Sequence, residues 1–170
     1  RIFRTGAVTV KCVSGYDLTR LFVGSEGTLG IITEITVKLI PAPETRKSLM
    51  AIFANIADAG RVVAEVIKSG VIPATLEIMD HITINAVEDF KKIGLPREAD
   101  ALLLFETDGY RETVEKEAAR IEEICRAHNA AEIRVARSDA ERDAIWAARR
   151  AALPSLARVK PTCILEDATV

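Results

Sequence analysis

No stretch of this 170-residue chain approaches the roughly 20 consecutive apolar residues of a membrane-spanning helix. The opening Arg1-Ile2-Phe3-Arg4 has no apolar region behind it, so it does not read as a signal peptide. Charge of one sign is also lacking. A net charge of -2 gives no electrostatic case for nucleic acid or an anionic membrane surface. Cysteine is scarce: Cys12, Cys125 and Cys163 are odd in number, far apart and outside any Cys-x-x-Cys. That excludes a disulfide framework, suits a reducing, cytoplasmic compartment, and leaves each thiol as a small buried hydrophobe. The two histidines, His81 and His128, have no ligand-type partner at metal spacing, so no metal site wholly inside the chain is expected. A Gly-rich phosphate motif after a first strand is missing, which argues against a Rossmann domain. No internal repeat or low-complexity stretch is evident.

What is present is a cluster of glycines and a regular alternation of elements. Gly24, Gly27 and Gly30 fall within seven residues, in Gly24-Ser25-Glu26-Gly27-Thr28-Leu29-Gly30, and an apolar-alternating run, Ile31 to Leu39, follows. Such a turn can aim several backbone N–H groups at one anion; the plain alternative is a tight turn joining two elements. Ala7 to Val13 has strand composition, Asp17 caps a short helix over Leu18 to Phe22, and Ile31 to Leu39 reads as a half-buried strand. Pro41-Ala42-Pro43-Glu44 divides the chain.

Beyond it the pattern predicts a strand over Lys47–Ile56 and a helix with Ala59, Val62, Val63, Val66 and Ile67 inward, Asp58 near its start. A strand over Ala74–Met79 and a helix over Ile82–Ile93 come next, then a strand over Ala101–Glu106. A long helix over Glu112–His128 precedes a short strand over Glu132–Ala136. The last helix opens on a capping box at Ser138 and Glu141 and runs to about Leu153, where Pro154 disrupts it. A further strand within Lys160–Val170 is optional. The expected class is α+β: a ferredoxin-like sandwich, an antiparallel sheet with helices on one face.

The run from Lys11 to Glu34, with Gly15-Tyr16-Asp17-Leu18 and the glycine turn in register, closely resembles the second half of the FAD-binding domain of FAD-linked oxidases. Within that family, relatives of vanillyl-alcohol oxidase, it looks like the glycolate oxidase catalytic subunit and D-lactate dehydrogenase group. Ile145-Trp146-Ala147-Ala148-Arg149-Arg150-Ala151-Ala152 and Ile164-Leu165-Glu166-Asp167-Ala168-Thr169-Val170 resemble the family's C-terminal substrate domain. Cys12 stands where relatives often carry Asn. The resemblance implies a fragment: residues 1–43 the C-terminal part of an α+β FAD-binding domain, residues 44–170 an incomplete ferredoxin-like substrate domain. Its first FAD subdomain would precede Arg1, and its histidine motifs would follow Val170.

By resemblance, Gly24, Ser25, Glu26, Gly27, Thr28 and Gly30 approach the ADP part of FAD, and Ile31 and Ile32 meet the adenine end through backbone groups. Arg149 is placed near the substrate carboxylate, whose geometry an arginine fork matches. Trp146, Arg149, Arg150 and Leu153 share a helical stripe. The plain alternatives are turn-shaping glycines, a core Ile32, and arginines solvated or paired with Glu141 and Asp143. Lys160, Glu166 and Asp167 are weaker candidates. No catalytic residue lies in this segment, and a divalent metal would be held by residues outside it.

The implied activity is oxidation of a 2-hydroxy acid, glycolate or D-lactate, by hydride transfer to flavin. Partners would be the small substrate and an electron-transfer or iron–sulfur subunit, with peripheral membrane attachment through such subunits. Residues 1–40, lacking a covering subdomain, would be the least stable part or would associate with a second copy. Two other readings stay open: a ferredoxin-like binding or association module without chemistry, and a non-redox FAD-dependent transferase resembling alkylglycerone-phosphate synthase.

Overall fold

The structure is a computed structural model describing residues 2–160 and 162–164. It divides into two compact units, Arg1–Pro41 and Ala42–Val170. In the first unit one helix forms, α1 (Leu18–Phe22), with Asp17 capping it by accepting from the Arg20 N–H at 3.1 Å. The strands expected over Ala7–Val13 and Ile31–Leu39 do not form. A strand needs a neighbour for its N–H and C=O groups, and none is at hand among the described residues. Val10 and Ile31 are accordingly more than 90% exposed, and no residue described in this unit is buried.

The second unit is built on strands β1 (Thr45–Phe53), β2 (Thr75–Asp80), β3 (Ala101–Gly109) and β4 (Glu132–Val135) and helices α2 (Ile56–Lys68), α3 (His81–Lys91), α4 (Arg111–Ala127) and α5 (Asp139–Val159). The sheet order is β2-β3-β1-β4, antiparallel throughout. This is the ferredoxin-like arrangement, in which the β1-α2-β2 and β3-α4-β4 units interleave so that β3 lies between β1 and β2. The α+β class and the antiparallel sheet match expectation.

The helices, however, lie on both faces. Leu49, Ala51, Phe53, Leu103 and Phe105 pack with α2 and α4 through Val62, Val66, Ile121 and Cys125. Met50, Ile52, Leu102 and Leu104 pack with α3 and α5 through Ile84, Val87, Ile145 and Ala148. The physical reason lies in the two central strands, whose side chains alternate between faces. Leu49–Phe53 and Ala101–Phe105 are unbroken apolar runs, so both faces shed water, at roughly 1.5–3 kcal/mol for each large side chain covered.

Other boundaries were decided by specific hydrogen bonds. Asn55 caps α2 by accepting from the Ala57 N–H, Asp58 lies in the first turn as expected, and Asp100 accepts from the Ile56 N–H at 2.7 Å. On α3, Ile84, Ala86 and Val87 are buried, whereas Phe90, and Ile93 just past the helix end at Lys91, remain partly exposed. At the head of α5, Ser138 accepts from the Glu141 N–H, but the Glu141 carboxylate reaches back to the Arg137 N–H, one residue before the position a capping box uses.

The expected break at Pro154 does not occur; α5 continues to Val159. Proline denies the Arg150 carbonyl its usual donor. Beside it, the Ser155 hydroxyl donates to the Ala151 carbonyl at 2.6 Å, Ala151 and Ser155 are buried, and the Arg158 guanidinium sits 4.6 Å from the Phe90 ring of α3. Packing on α3 thus outweighs the missing bond. The part of Ile164–Val170 beyond Ile164, and with it Glu166 and Asp167, lies outside the described residues.

Two outcomes are expected. Phe105→Ala empties a fully buried site and should lower stability by about 3–5 kcal/mol, read as an earlier urea midpoint. Glu88 accepts from the Leu95 and Ile93 N–H groups at 3.0 Å each, tying down the loop after α3. These bonds, Leu95 foremost, hold its pKa below the ordinary 4.5 against the opposing effect of burial. Its stabilisation is therefore complete above that value and is lost as pH falls through the lower folded value. The stability gap between native protein and Glu88→Gln should be full at pH 7 and shrink below pH 4.5.

Candidate functional site

Two places carry the candidate residues, one in each unit. In the first, the chain after α1 turns sharply. The Ser25 N–H bonds to the Phe22 carbonyl at 3.1 Å, the Thr28 N–H to the Ser25 carbonyl at 2.9 Å, and the Thr28 hydroxyl to that same carbonyl at 2.7 Å. Gly24, Glu26 and Gly27 take left-handed backbone conformations, with φ of 81°, 51° and 78°. Glycine is required at Gly24 and Gly27 by that φ, since nothing lies within 4 Å of a Cβ placed there. Gly30 has a different cause: a Cβ would stand 3.2 Å from the Phe22 ring.

Gly24, Glu26 and Gly27 are left-handed, with Ser25 between the first two, and left-handed positions of this kind turn neighbouring N–H groups outward, as in anion-binding nests. The internal bonds use the N–H groups of Ser25 and Thr28, and those of Gly24, Glu26 and Gly27 have no partner among the described residues. The Ser25 hydroxyl is buried with no partner among the described residues. An orphaned hydroxyl next to unspent amides suits an oxyanion such as a phosphate. Thr28 has spent its proton internally, and Ile31 and Ile32 are exposed outside any helix or strand.

In the second unit, the sheet face under α5 turns polar at one end. Ser48 of β1 and Glu106 of β3 face each other in register, and Thr75 of β2 lies opposite Glu106. The Ser48 hydroxyl donates to Glu106 Oε2 at 2.7 Å, and the Trp146 indole N–H reaches Ser48 Oγ at 3.0 Å and Glu106 Oε2 at 2.9 Å. Arg46 approaches the other Glu106 oxygen at 3.8 Å. Ser48 is fully buried, so this network is a tie between α5 and the sheet, shielded from water.

One turn along α5, the Arg149 Nε–H donates to Glu77 Oε1 of β2 at 3.0 Å. The expected alternatives, Glu141 and Asp143, are not its partners. Arg150 bonds instead to the Asp143 carbonyl of its own helix at 3.2 Å. The expected stripe divides: Trp146 is half-buried, whereas Arg149, Arg150 and Leu153 are exposed. Sequence reading missed Ser48, Glu77 and Glu106. Their signal was present as single polar residues on a strand face otherwise apolar.

A neighbouring concavity of about 370 Å³ is lined by Arg46, Lys47, Arg137 and Arg142, with Glu115 and Asp139. Lys47 pairs with Glu115, Arg142 with Asp139 at 2.8 Å and Arg46 with Glu106 at 3.8 Å, so three of these four cations are already matched. Cys125 is no nucleophile: burial foremost, with Glu122 adding to it, pushes the thiol up to about 12. Cys12 and Cys163 are exposed rather than buried, contrary to expectation, because neither lies in an element packed on the core. His81 Nδ1 lies 2.9 Å from the Ala99 carbonyl, a structural tie. Among the described residues no group of three or more His, Cys, Asp and Glu could hold a metal ion, and no helix is long and apolar enough to cross a membrane.

Comparison with known proteins adds to this geometry. The glycolate oxidase subunit GlcD of Bacillus subtilis (strain 168) is 54% identical over 169 residues, 99% of this chain and 36% of that protein. A probable mitochondrial D-lactate dehydrogenase of Danio rerio is 33% identical over 153 residues, 90% of this chain and 30% of that protein. The chain therefore spans about a third of the length of the curated relatives it matches. Among solved structures, an alkyldihydroxyacetonephosphate synthase superposes with a TM-score of 0.65 at 21% identity, covering 88% of this chain and 31% of that one, which is a likeness of fold. The family of FAD linked oxidases, C-terminal domain, matches residues 42–170. The chain belongs to the FAD-linked oxidases, and its second unit is their C-terminal domain.

Proposed function

We propose that this chain is part of an FAD-dependent oxidoreductase that oxidises a 2-hydroxy acid of the glycolate or D-lactate class. In this reading residues 1–43 close an FAD-binding domain and residues 44–170 form part of the substrate domain. The observation that carries it is the Gly24–Gly30 turn, with its unspent amides and orphaned Ser25 hydroxyl, in a chain of this family. Those groups fit the pyrophosphate of FAD: Gly24, Glu26 and Gly27 offer N–H donors, and Ser25 offers its hydroxyl. Ile31 and Ile32, both exposed, offer backbone groups to the adenine end. Gly30 and Thr28 act one step back, by holding the turn against Phe22 and the Ser25 carbonyl.

FAD, when bound, supplies the acceptor for the hydride that leaves the hydroxyl-bearing carbon. The residues of this chain bind and orient. The Arg149 guanidinium, exposed on a helix tied down through Trp146, is suited to grip the substrate carboxylate with two parallel N–H donors. That grip would fix the orientation of the α-carbon. No residue of this chain is assigned as the base for the hydroxyl proton or as a ligand of a divalent metal. The apolar residues laid open in the first unit, such as Val10 and Ile31, are suited to cover by the rest of the FAD domain. The name of the Bacillus relative, a subunit, supports a partner subunit. Free, exposed thiols at Cys12 and Cys163 suit a reducing, cytoplasmic setting. The transferase reading has less support, since that likeness stands at 21% identity against 54% for the glycolate oxidase subunit.

The full-length protein should purify with flavin absorbance that glycolate or D-lactate bleaches without oxygen. Protein that takes up no flavin on refolding sinks this reading. Ser25→Ala should weaken FAD retention about tenfold, the loss of one good hydrogen bond, measured by flavin release on dilution. Gly27→Val, which forces a branched side chain into φ of 78°, should abolish retention. Arg149→Ala should raise KM for the hydroxy acid by about a hundredfold, for two charge-assisted bonds lost.

A further inference from the structure

We propose that Glu77 is a positioning residue for Arg149: by accepting the Nε–H it leaves the two terminal nitrogens of the guanidinium free for a carboxylate ligand. This rests on the reading of Arg149 as a substrate residue and goes beyond it. The geometry is specific. Glu77 Oε1 meets Arg149 at Nε, 3.0 Å away, and no acceptor for the terminal nitrogens is found among the described residues. An arginine presents five N–H donors in a rigid plane, so occupying Nε fixes that plane and keeps the outer pair for a two-oxygen partner.

Both ends of the contact are anchored. Glu77 sits on β2 opposite Leu104, on the same sheet face as the buried Leu102 and Leu104. Arg149 is flanked on α5 by the fully buried Ala148, and Trp146, one turn earlier, is tied to Ser48 and Glu106. Arg149 is the more exposed partner, its side chain 53% exposed against 33% for Glu77. The helix supplies no acid of its own: the residues three and four positions either side of Arg149 are Ile145, Trp146, Ala152 and Leu153. Glu77 holds Arg149 only by tertiary contact, 72 residues away in sequence. A pair this exposed contributes little to folding, so orientation is the effect it is suited to exert.

The test combines steady-state kinetics of the full-length, flavin-loaded protein, with glycolate and D-lactate as substrates and a dye as acceptor, with NMR of the 170-residue chain. Glu77→Ala should raise KM about tenfold while kcat stays within about threefold, and the thermal midpoint should hold. Glu77→Gln, whose amide oxygen still accepts the Nε–H, should stay within about threefold of the native KM. In the NMR experiment the Arg149 Nε–H signal should be protected from exchange in the native chain and in Glu77→Gln, and lose that protection in Glu77→Ala. An unchanged KM in Glu77→Ala beside a raised KM in Arg149→Ala overturns the role of Glu77 alone. A KM that falls in Glu77→Ala also overturns it, marking Glu77 as a competitor for the guanidinium. An unchanged KM in Arg149→Ala overturns the substrate reading of Arg149 and this proposal with it.

Discussion

The two central strands are apolar on both faces, and the rest of the second unit answers that constraint. Leu49–Phe53 and Ala101–Phe105 pair side by side in the middle of the sheet. Neither strand has a face that water can cover cheaply, so each needs a helical layer above and another below. α2 and α4 supply one layer as the crossovers of the ferredoxin-like arrangement, and α3 and α5 supply the other. That second layer brings α5 over the sheet, and with α5 come Trp146 and Arg149.

The apolar face is not uniform, and its exceptions make the candidate site. Ser48, Glu77 and Glu106 interrupt it near one end, where α5 sets down an indole N–H and a guanidinium. Buried polar groups of this kind are tolerated only when matched, and Ser48, Glu106 and Trp146 match one another. The exposed pair next to them, Arg149 and Glu77, keeps unspent donors facing solvent. Burial thus grades a single cluster from structural tie to exposed ion pair across one helical turn.

The first unit is a contrast. It has the composition of strands and a hydrogen-bonded, glycine-rich turn, but no buried residue among those described. The turn forms because its bonds are local, within residues 22–28, and because Gly24 and Gly27 adopt left-handed backbone at no steric cost. The strands do not form because their bonds would be non-local. This separation of local from non-local order explains why the glycine turn is legible along the chain, whereas the state of Ala7–Val13 and Ile31–Leu39 is not.

Much of the second unit was legible in the order of residues: four strands, four helices, the Ser138 cap and the α+β class follow from periodicity and local capping chemistry. The family, too, was legible, because the glycine turn and the Trp146–Arg149 segment are short and distinctive. Tertiary structure alone decided the second helical layer, since an unbroken apolar strand looks alike from either face when read along the chain. It also decided that α5 passes through Pro154, because the core packing of Ala151, the burial of Ser155 and the contact of Arg158 with Phe90 of α3 outweigh one missing donor. And it decided the partner of Arg149. No helical spacing points to Glu77, which reaches the guanidinium only because β2 and α5 share one face of the sheet.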